Sequence, residues 1–392
     1  MRLITARVTK VYPVQHGAQR LVVETEGPPS LRFEALRYEV LVAPCELKDM
    51  VLINTTAVDL GLGTGGMCPV LANLTAIERS GQVAFDDSVP SEGPAFITAF
   101  DTAFASGALP AGGHIMKLRY TPFQHEVFSV EEPASSHHAI MEHACSLEGV
   151  PVVCCELHSQ MPLVAAAVKH IKPRAKLVYC MTDEAALLAS FSAVLAQARA
   201  SGLLDACITC GQALGGDLEA VNLYSGLLVA TMIREADVII CAQGPGIVGT
   251  ATRFGHGGLA QAQALNAVAA LKGVPIAPLR LSFAEKRERH QGVSHHTRTA
   301  LGIACLTEAL IPVPDDLSAE QMATVEQQLE EAKISERHRL INIPVARQDI
   351  DLCGLEVTTM GRAQADDPAF FSAAFAAGIF AARVIGDREG RR

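Results

Sequence analysis

No stretch of the chain approaches the ~18 uninterrupted apolar residues that a membrane-spanning helix requires. The first segment, "MRLITARVTKVYPV", alternates charged and apolar residues and lacks the apolar centre of a secretory leader. Basic residues are outnumbered, with 32 Lys and Arg against 42 Asp and Glu. The resulting net charge of −10 argues against a general nucleic-acid binder, which needs a basic face. Neither HxH nor HExxH occurs, and the one CxxC, "CITC" (Cys207 to Cys210), has no second copy, so the common metal signatures are missing. Eleven cysteines are present, but most lie in apolar runs such as "VVCCEL" and "VIICA", where cysteine acts as a small hydrophobe. A reduced, cytoplasmic protein is expected, not a disulfide scaffold.

What is present is a globular composition, 49% hydrophobic and 19% charged, over 392 residues, enough for two or three cores. Residues 1–85 read as a small all-β domain, a barrel or sandwich. "ARVTKVYPV", "QRLVVETEG", "LRFEALRYEVLVAP" and "DMVLINTTAV" are short and rich in Val, Leu and Thr, and show no helical period. "LGLGTGG" (Leu60 to Gly66) leads into the strand-like "MCPVLANLTAI" rather than a helix, so it reads as a hairpin or connection, not a phosphate cradle. Residues 86–112 form a transition holding the linker-like "DDSVPSEGP". From 113 to 392 the text alternates strand and helix. "VPVVCCEL", "AKLVYCM", "DACIT", "ADVIICA" and "VPIAPLRLSF" are continuously apolar, and each leads through a short loop into a helical run. Strands buried on both faces look like this, so the expected fold is α/β, with a Rossmann-like, doubly wound, mostly parallel sheet.

In such sheets ligands sit beyond the carboxyl ends of the strands. The residues there are Glu156, His158, Ser159 and Gln160; then Thr182, Asp183 and Glu184; then Cys210, Gly211, Gln212 and Asp217; then Gln243 and a glycine-rich loop with Arg253 and His256; and last Glu285, Arg287, Arg289, His290, His295 and His296. Thr182 and Asp217 precede helical runs and suit N-caps. Glu156 and His158 share one face of an extended run. That suits either two metal ligands or one hydrogen-bonded pair, and a metal-free site is expected. "GPGIVG" (Gly244 to Gly249) matches GxGxxG after a strand, but "TATRFGHGG" intervenes before the helix, and no acidic residue follows about 20 positions on. It reads as a wide loop in which Gly244, Gly246 and Gly249 admit backbone amides to a ligand, with Thr250, Thr252, Arg253 and His256 as donors. The alternative is a packing loop. Cys210, at a strand end before a helical run, suits either an activated thiol with His158, His256 or His295 as base, or a buried structural thiol. "EKRERH" is either a cationic lid or a solvated loop.

"NTTAVDLGLGTGG", "LRYTP", "TCGQALGGDLEAVN" and "AQGPGIVGTATRFGHGG…RLSFAEKRERHQGVSHHT" together resemble an uncharacterised bacterial family, domain of unknown function 3866, from about Asn54 to Leu301. The resemblance implies a bacterial, cytoplasmic protein and brings no reaction, substrate or catalytic residue. The residues themselves lead to an enzyme of hydrolytic or group-transfer type acting on a small polar or anionic metabolite. In it His158, Cys210 and His295 are the catalytic candidates, Arg253 and Arg287 hold the anion, and Gln212 and the loop glycines line the site. Two other functions stay open: a ligand-binding or regulatory protein using the same cleft, and an assembly protein whose apolar final helix packs on another copy. The partner expected is a small molecule rather than nucleic acid or membrane, and no cofactor is assigned.

Overall fold

The computed structural model describes residues 2–59, 66–80, 113, 115–119, 123 and 125–389. The transition at 86–112 and all of "LGLGTGG" but Gly66 lie outside the described residues. The chain divides into two units, residues 1–112 with 118–125 and residues 113–117 with 126–392.

The first unit is a closed five-stranded barrel of β1 (Leu3–Gln15), β2 (Ala18–Glu24), β3 (Arg32–Tyr38), β4 (Met50–Asn54) and β5 (Met67–Asn73), in the order β1-β2-β3-β5-β4. Alternation decides most of its inside: Ala6, Val8, Leu21, Val23, Val51, Ile53 and Val70 pack together, while Thr5, Arg7, Thr9 and Arg20 are exposed. His16 and Gly17, at φ 54° and 77°, make the two-residue turn that matches the twist of β1 and β2. One expectation is corrected. "MCPVLANLTAI" is not one strand, because the Asn73 side chain accepts from Ala76 N at 3.0 Å and starts a helix, Leu74–Arg79.

The second unit carries an eight-stranded, all-parallel sheet: β6 (Pro151–Cys154), β7 (Leu177–Thr182), β8 (Ala206–Cys210), β9 (Leu218–Ala220), β10 (Val238–Gln243), β11 (Val274–Ile276), β12 (Leu310–Pro314) and β13 (Arg339–Ile343). Their order is β9-β8-β7-β10-β6-β11-β12-β13. The runs that form β6, β7, β8 and β10 are buried on both faces, as expected, but "VPIAPLRLSF" is not one strand: only Val274–Ile276 joins the sheet, and Leu281–Ser282 belongs to a separate antiparallel pair. Val153, Tyr179 and Ile240 point to a layer holding helices Gln160–Ile171, Ala193–Ala200 and Pro368–Glu389. Val152, Val178 and Ile239 point to the opposite layer, with helices Leu223–Met232, Ala260–Ala270 and Ala319–Glu331. Pro368–Ile385 is long and apolar enough to cross a membrane, but it is 78% buried in this unit. Phe370, Phe371 and Phe375 lie in the core, and Gly378 rides so close to the helix Gln160–Ile171 that a Cβ would meet the Val164 carbonyl at 2.4 Å.

The connections position the site. From β6 the chain crosses one face, past β10, to β7. From β10 it crosses the other face, past β6, to β11. Neighbours β6 and β10 thus send their crossovers in opposite directions, and right-handed crossovers require opposite faces for that. A crevice opens at their carboxyl ends.

Candidate functional site

Beyond β6 the chain turns into a buried polar cluster. Glu156 accepts from Arg280 Nη1 at 3.0 Å and from Thr297 Oγ1 at 2.5 Å, with His296 Nδ1 at 3.4 Å. Burial alone would raise its pKa, but the His296, Arg280 and Thr297 partners hold it down to about 2. Arg280 is itself buried, so the carboxylate is its counter-charge.

The loop after β10 folds back on itself. Thr250 N donates to Gly255 O at 2.9 Å and Gly257 N to Val248 O at 3.0 Å, which returns His256 to the cluster. Its ring stacks on His296 with centroids 3.9 Å apart and planes 4° from parallel. His295 meets His296 edge-on at 4.4 Å, and His290 lies 4.9 Å from His295 and 5.0 Å from His296. Two glycines make room. A Cβ on Gly258 would meet His296 Cβ at 2.9 Å, His256 Nδ1 at 3.1 Å and Glu156 Cδ at 3.3 Å, and one on Gly249 would sit 3.2 Å from His296 Nε2. Burial first, and then the neighbouring rings and cations, push His295 down to about 4 and His290 to about 3; burial and His296 likewise lower His256. His290 and His295 are therefore uncharged at pH 7.

On the other side of Gln243 lies a crevice of about 360 Å³, its wall including Leu157, His158, Ser192, Gln243, Gly246 and Met360. His158 Nε2 is 2.7 Å from Ser192 Oγ, and its Nδ1 is 3.3 Å from the Gln243 carbonyl. Nδ1 also lies 3.0 Å from Tyr179 Oη, whose one hydrogen goes to the Ala242 or Gln243 carbonyl, so Nδ1–H is the donor there and Ser192 donates to Nε2. Burial brings His158 down to about 4, against a smaller upward pull from the Gln243 carbonyl. Gln243 Nε2 donates to the Glu156 carbonyl at 3.1 Å, tying crevice to cluster. Gln243 Oε1 is buried and has no partner among the described residues.

A family model described as "Protein of unknown function (DUF3866)" matches residues 34–378. The chain belongs to this family. No curated protein and no solved structure matches it.

The structure gathers some of the expected residues and disperses others. His158, Gly246 and Gln243 line the crevice, while His256, His295 and Gly249 belong to the histidine cluster. Cys210 does not precede a helix: residues 218–220 form a strand, the next helix starts at Leu223 under an Asn222 cap, and the thiol is buried against Gly226. Gln212 is exposed, with its backbone N on Asp183 at 2.7 Å. Gly244 packs on Ala186, whose carbonyl a Cβ would meet at 2.1 Å. Thr250 and Thr252 bond to each other at 2.9 Å and bind Gly255, closing the loop instead of facing the crevice. The Arg253 side chain is exposed; its carbonyl takes His256 Nε2–H at 2.9 Å. Arg287 is forked onto Glu285, which neutralises it as an anion clamp. Neither expected N-cap is one. Asp217 pairs with Arg199 and accepts from Cys207 N at 2.8 Å, and Thr182 ends β7. The helix that follows β7 begins only at Ala193, under a Ser192 cap, and nothing in the sequence around Ser192 marks that hydroxyl as a site group. Arg280 and Thr297 went unread too, since neither falls at a strand exit legible in the text.

Proposed function

We propose that the protein is an enzyme of hydrolytic or group-transfer type acting on a small polar molecule seated at the ends of β6 and β10. The observation that carries this is a buried, partnerless acceptor, Gln243 Oε1, on a residue that lines a crevice at the point where the sheet's winding reverses. A ligand N–H or O–H would satisfy it, with His158 and Ser192 orienting a second polar group. Among the described lining residues the only charged side chain is Glu356, so recognition rests on hydrogen bonds and shape rather than on an anion clamp. The Ser192–His158 pair has the spacing of a nucleophile and its base. However, Ser192 also caps a helix through Leu195 N, and a base near 4 is weak at pH 7, so the pair is read as an orienting group.

A second reading, binding without chemistry, is favoured by that same weak base. The test is a thermal-shift screen of polar metabolites at pH 7.5, repeated on Gln243→Leu, with turnover assays on every hit. Shifts lost in the variant and accompanied by turnover support the enzyme; shifts lost in the variant without turnover support the binder. Hits indifferent to Gln243 overturn both.

A further inference from the structure

Three imidazoles, His256, His295 and His296, meet in one cluster, and two of them carry a buried ring nitrogen without a partner among the described residues. His256 donates Nε2–H to the Arg253 carbonyl at 2.9 Å, which leaves the Nδ1 lone pair free, and that atom is buried with no partner among the described residues. His295 Nε2 is likewise buried and partnerless. His296 Nδ1 lies 3.2 Å from Arg280 Nη1 and 3.4 Å from the Glu156 carboxylate, and its Nε2 faces the opposite side, where Gly249 supplies no Cβ. One ring nitrogen from each of the three lies within 4.8 Å of the others. Two buried ring nitrogens without a partner among the described residues, His256 Nδ1 and His295 Nε2, are costly unless something satisfies them. A metal-ligating histidine characteristically gives its other N–H to a carbonyl or carboxylate, as His256 does here.

We propose that His256 Nδ1, His295 Nε2 and His296 Nε2 hold one divalent first-row transition-metal ion, with zinc the best fit. Neutral imidazole suits zinc, whereas magnesium and calcium demand oxygen ligands that this cluster does not offer. Tetrahedral zinc with Zn–N bonds of ~2.0–2.1 Å places its ligands about 3.4 Å apart, so small ring rotations close the site. Arg280 does not forbid the cation, because Glu156 neutralises it at 3.0 Å. Three protein ligands leave a fourth position for water, whose pKa zinc brings to about 7. That water would be the nucleophile which the crevice itself lacks, so the catalytic use of the ion rests on the function proposed above, while its binding does not.

The experiment uses the full chain, stripped with a chelator and titrated with Zn²⁺ by calorimetry and with Co²⁺ by visible absorption. The wild type should take up one equivalent and show tetrahedral Co²⁺ bands. His295→Ala, at a half-buried position where folding is least at risk, should weaken binding beyond the ~10–100-fold that loss of an outer partner costs. His256→Gln should do the same, and His290→Gln should keep wild-type affinity; circular dichroism checks that each variant folds. No uptake at micromolar metal, or uptake unchanged in both His295→Ala and His256→Gln, overturns the site. A metal bound by a protein that gives no Gln243-dependent ligand shift upholds the site and sinks the reading of the crevice. Ligand shifts in a protein that binds no metal do the reverse.

Discussion

Two buried carboxylates in the same sheet show what separates a structural polar cluster from a functional one. Glu219, in β9 at the sheet edge, accepts from Lys117 Nζ at 2.6 Å, Thr209 Oγ1 at 2.7 Å and Gly215 N at 2.7 Å. Lys117 uses its remaining hydrogens on the carbonyls of Thr209 and Ala213. Nothing in that cluster is left over. Glu156, beside the reversal of the winding, is equally buried and has an arginine partner, yet around it His256 Nδ1, His295 Nε2 and Gln243 Oε1 stand without partners among the described residues. A saturated network fastens the chain, whereas an unsaturated one awaits a ligand.

The sharpest break in the comparison comes from removing one charge from each pair. Glu156→Gln strands the Arg280 guanidinium, which cannot shed its proton, and should destabilise the unit by about 3–5 kcal/mol in urea unfolding. Lys117→Met should cost less, about 1–3 kcal/mol, because Glu219 can take up a proton. Burial already raises that carboxyl's pKa above its ordinary value. A folded pKa above the unfolded one means stability kept at low pH and lost as pH rises, so the Lys117→Met deficit should grow with pH. Equal, pH-independent costs would erase the distinction.

His158 sharpens the comparison through pH. Its folded pKa near 4 lies below the ordinary 6.5, so its contribution is fully present above pH 6.5 and is lost as pH falls from 6.5 toward 4. The span corresponds to roughly 3 kcal/mol at most. His158→Gln should flatten the stability-versus-pH curve across that window relative to wild type. Gly258→Ala should cost about 1–3 kcal/mol by overpacking His296 and His256, and should weaken metal binding in the same measurement. Arg253→Ala, on an exposed side chain, should shift stability by less than about 0.5 kcal/mol.

The fold was legible because buried strands announce themselves: "VIICA" and "LVYCM" admit no polar alternation, and short barrel strands show theirs. Strand order was not legible, since nothing local in "ADVIICAQ" says that β10 inserts between β7 and β6. The crevice therefore came into view only with the topology, and Ser192 and residues 356–360 carried no signal for it. The sequence did single out His256 and His295 individually. Their meeting at His296 was hidden because a loop and a helix start some 40 positions apart supply the rings, while metal motifs are read from ligands close in sequence. The common feature, visible in hindsight, is "GHGG" and "SHH": a histidine among glycines small enough to let a second pair approach.

The central claim is that the polar groups near Glu156 are unsaturated because a ligand completes them. Zinc-edge anomalous diffraction from crystals of the full chain grown with one equivalent of zinc tests it most directly. The account predicts a single strong peak bonded to His256 Nδ1, His295 Nε2 and His296 Nε2. A map with no peak there, and with both open nitrogens hydrogen-bonded to the protein, would contradict it.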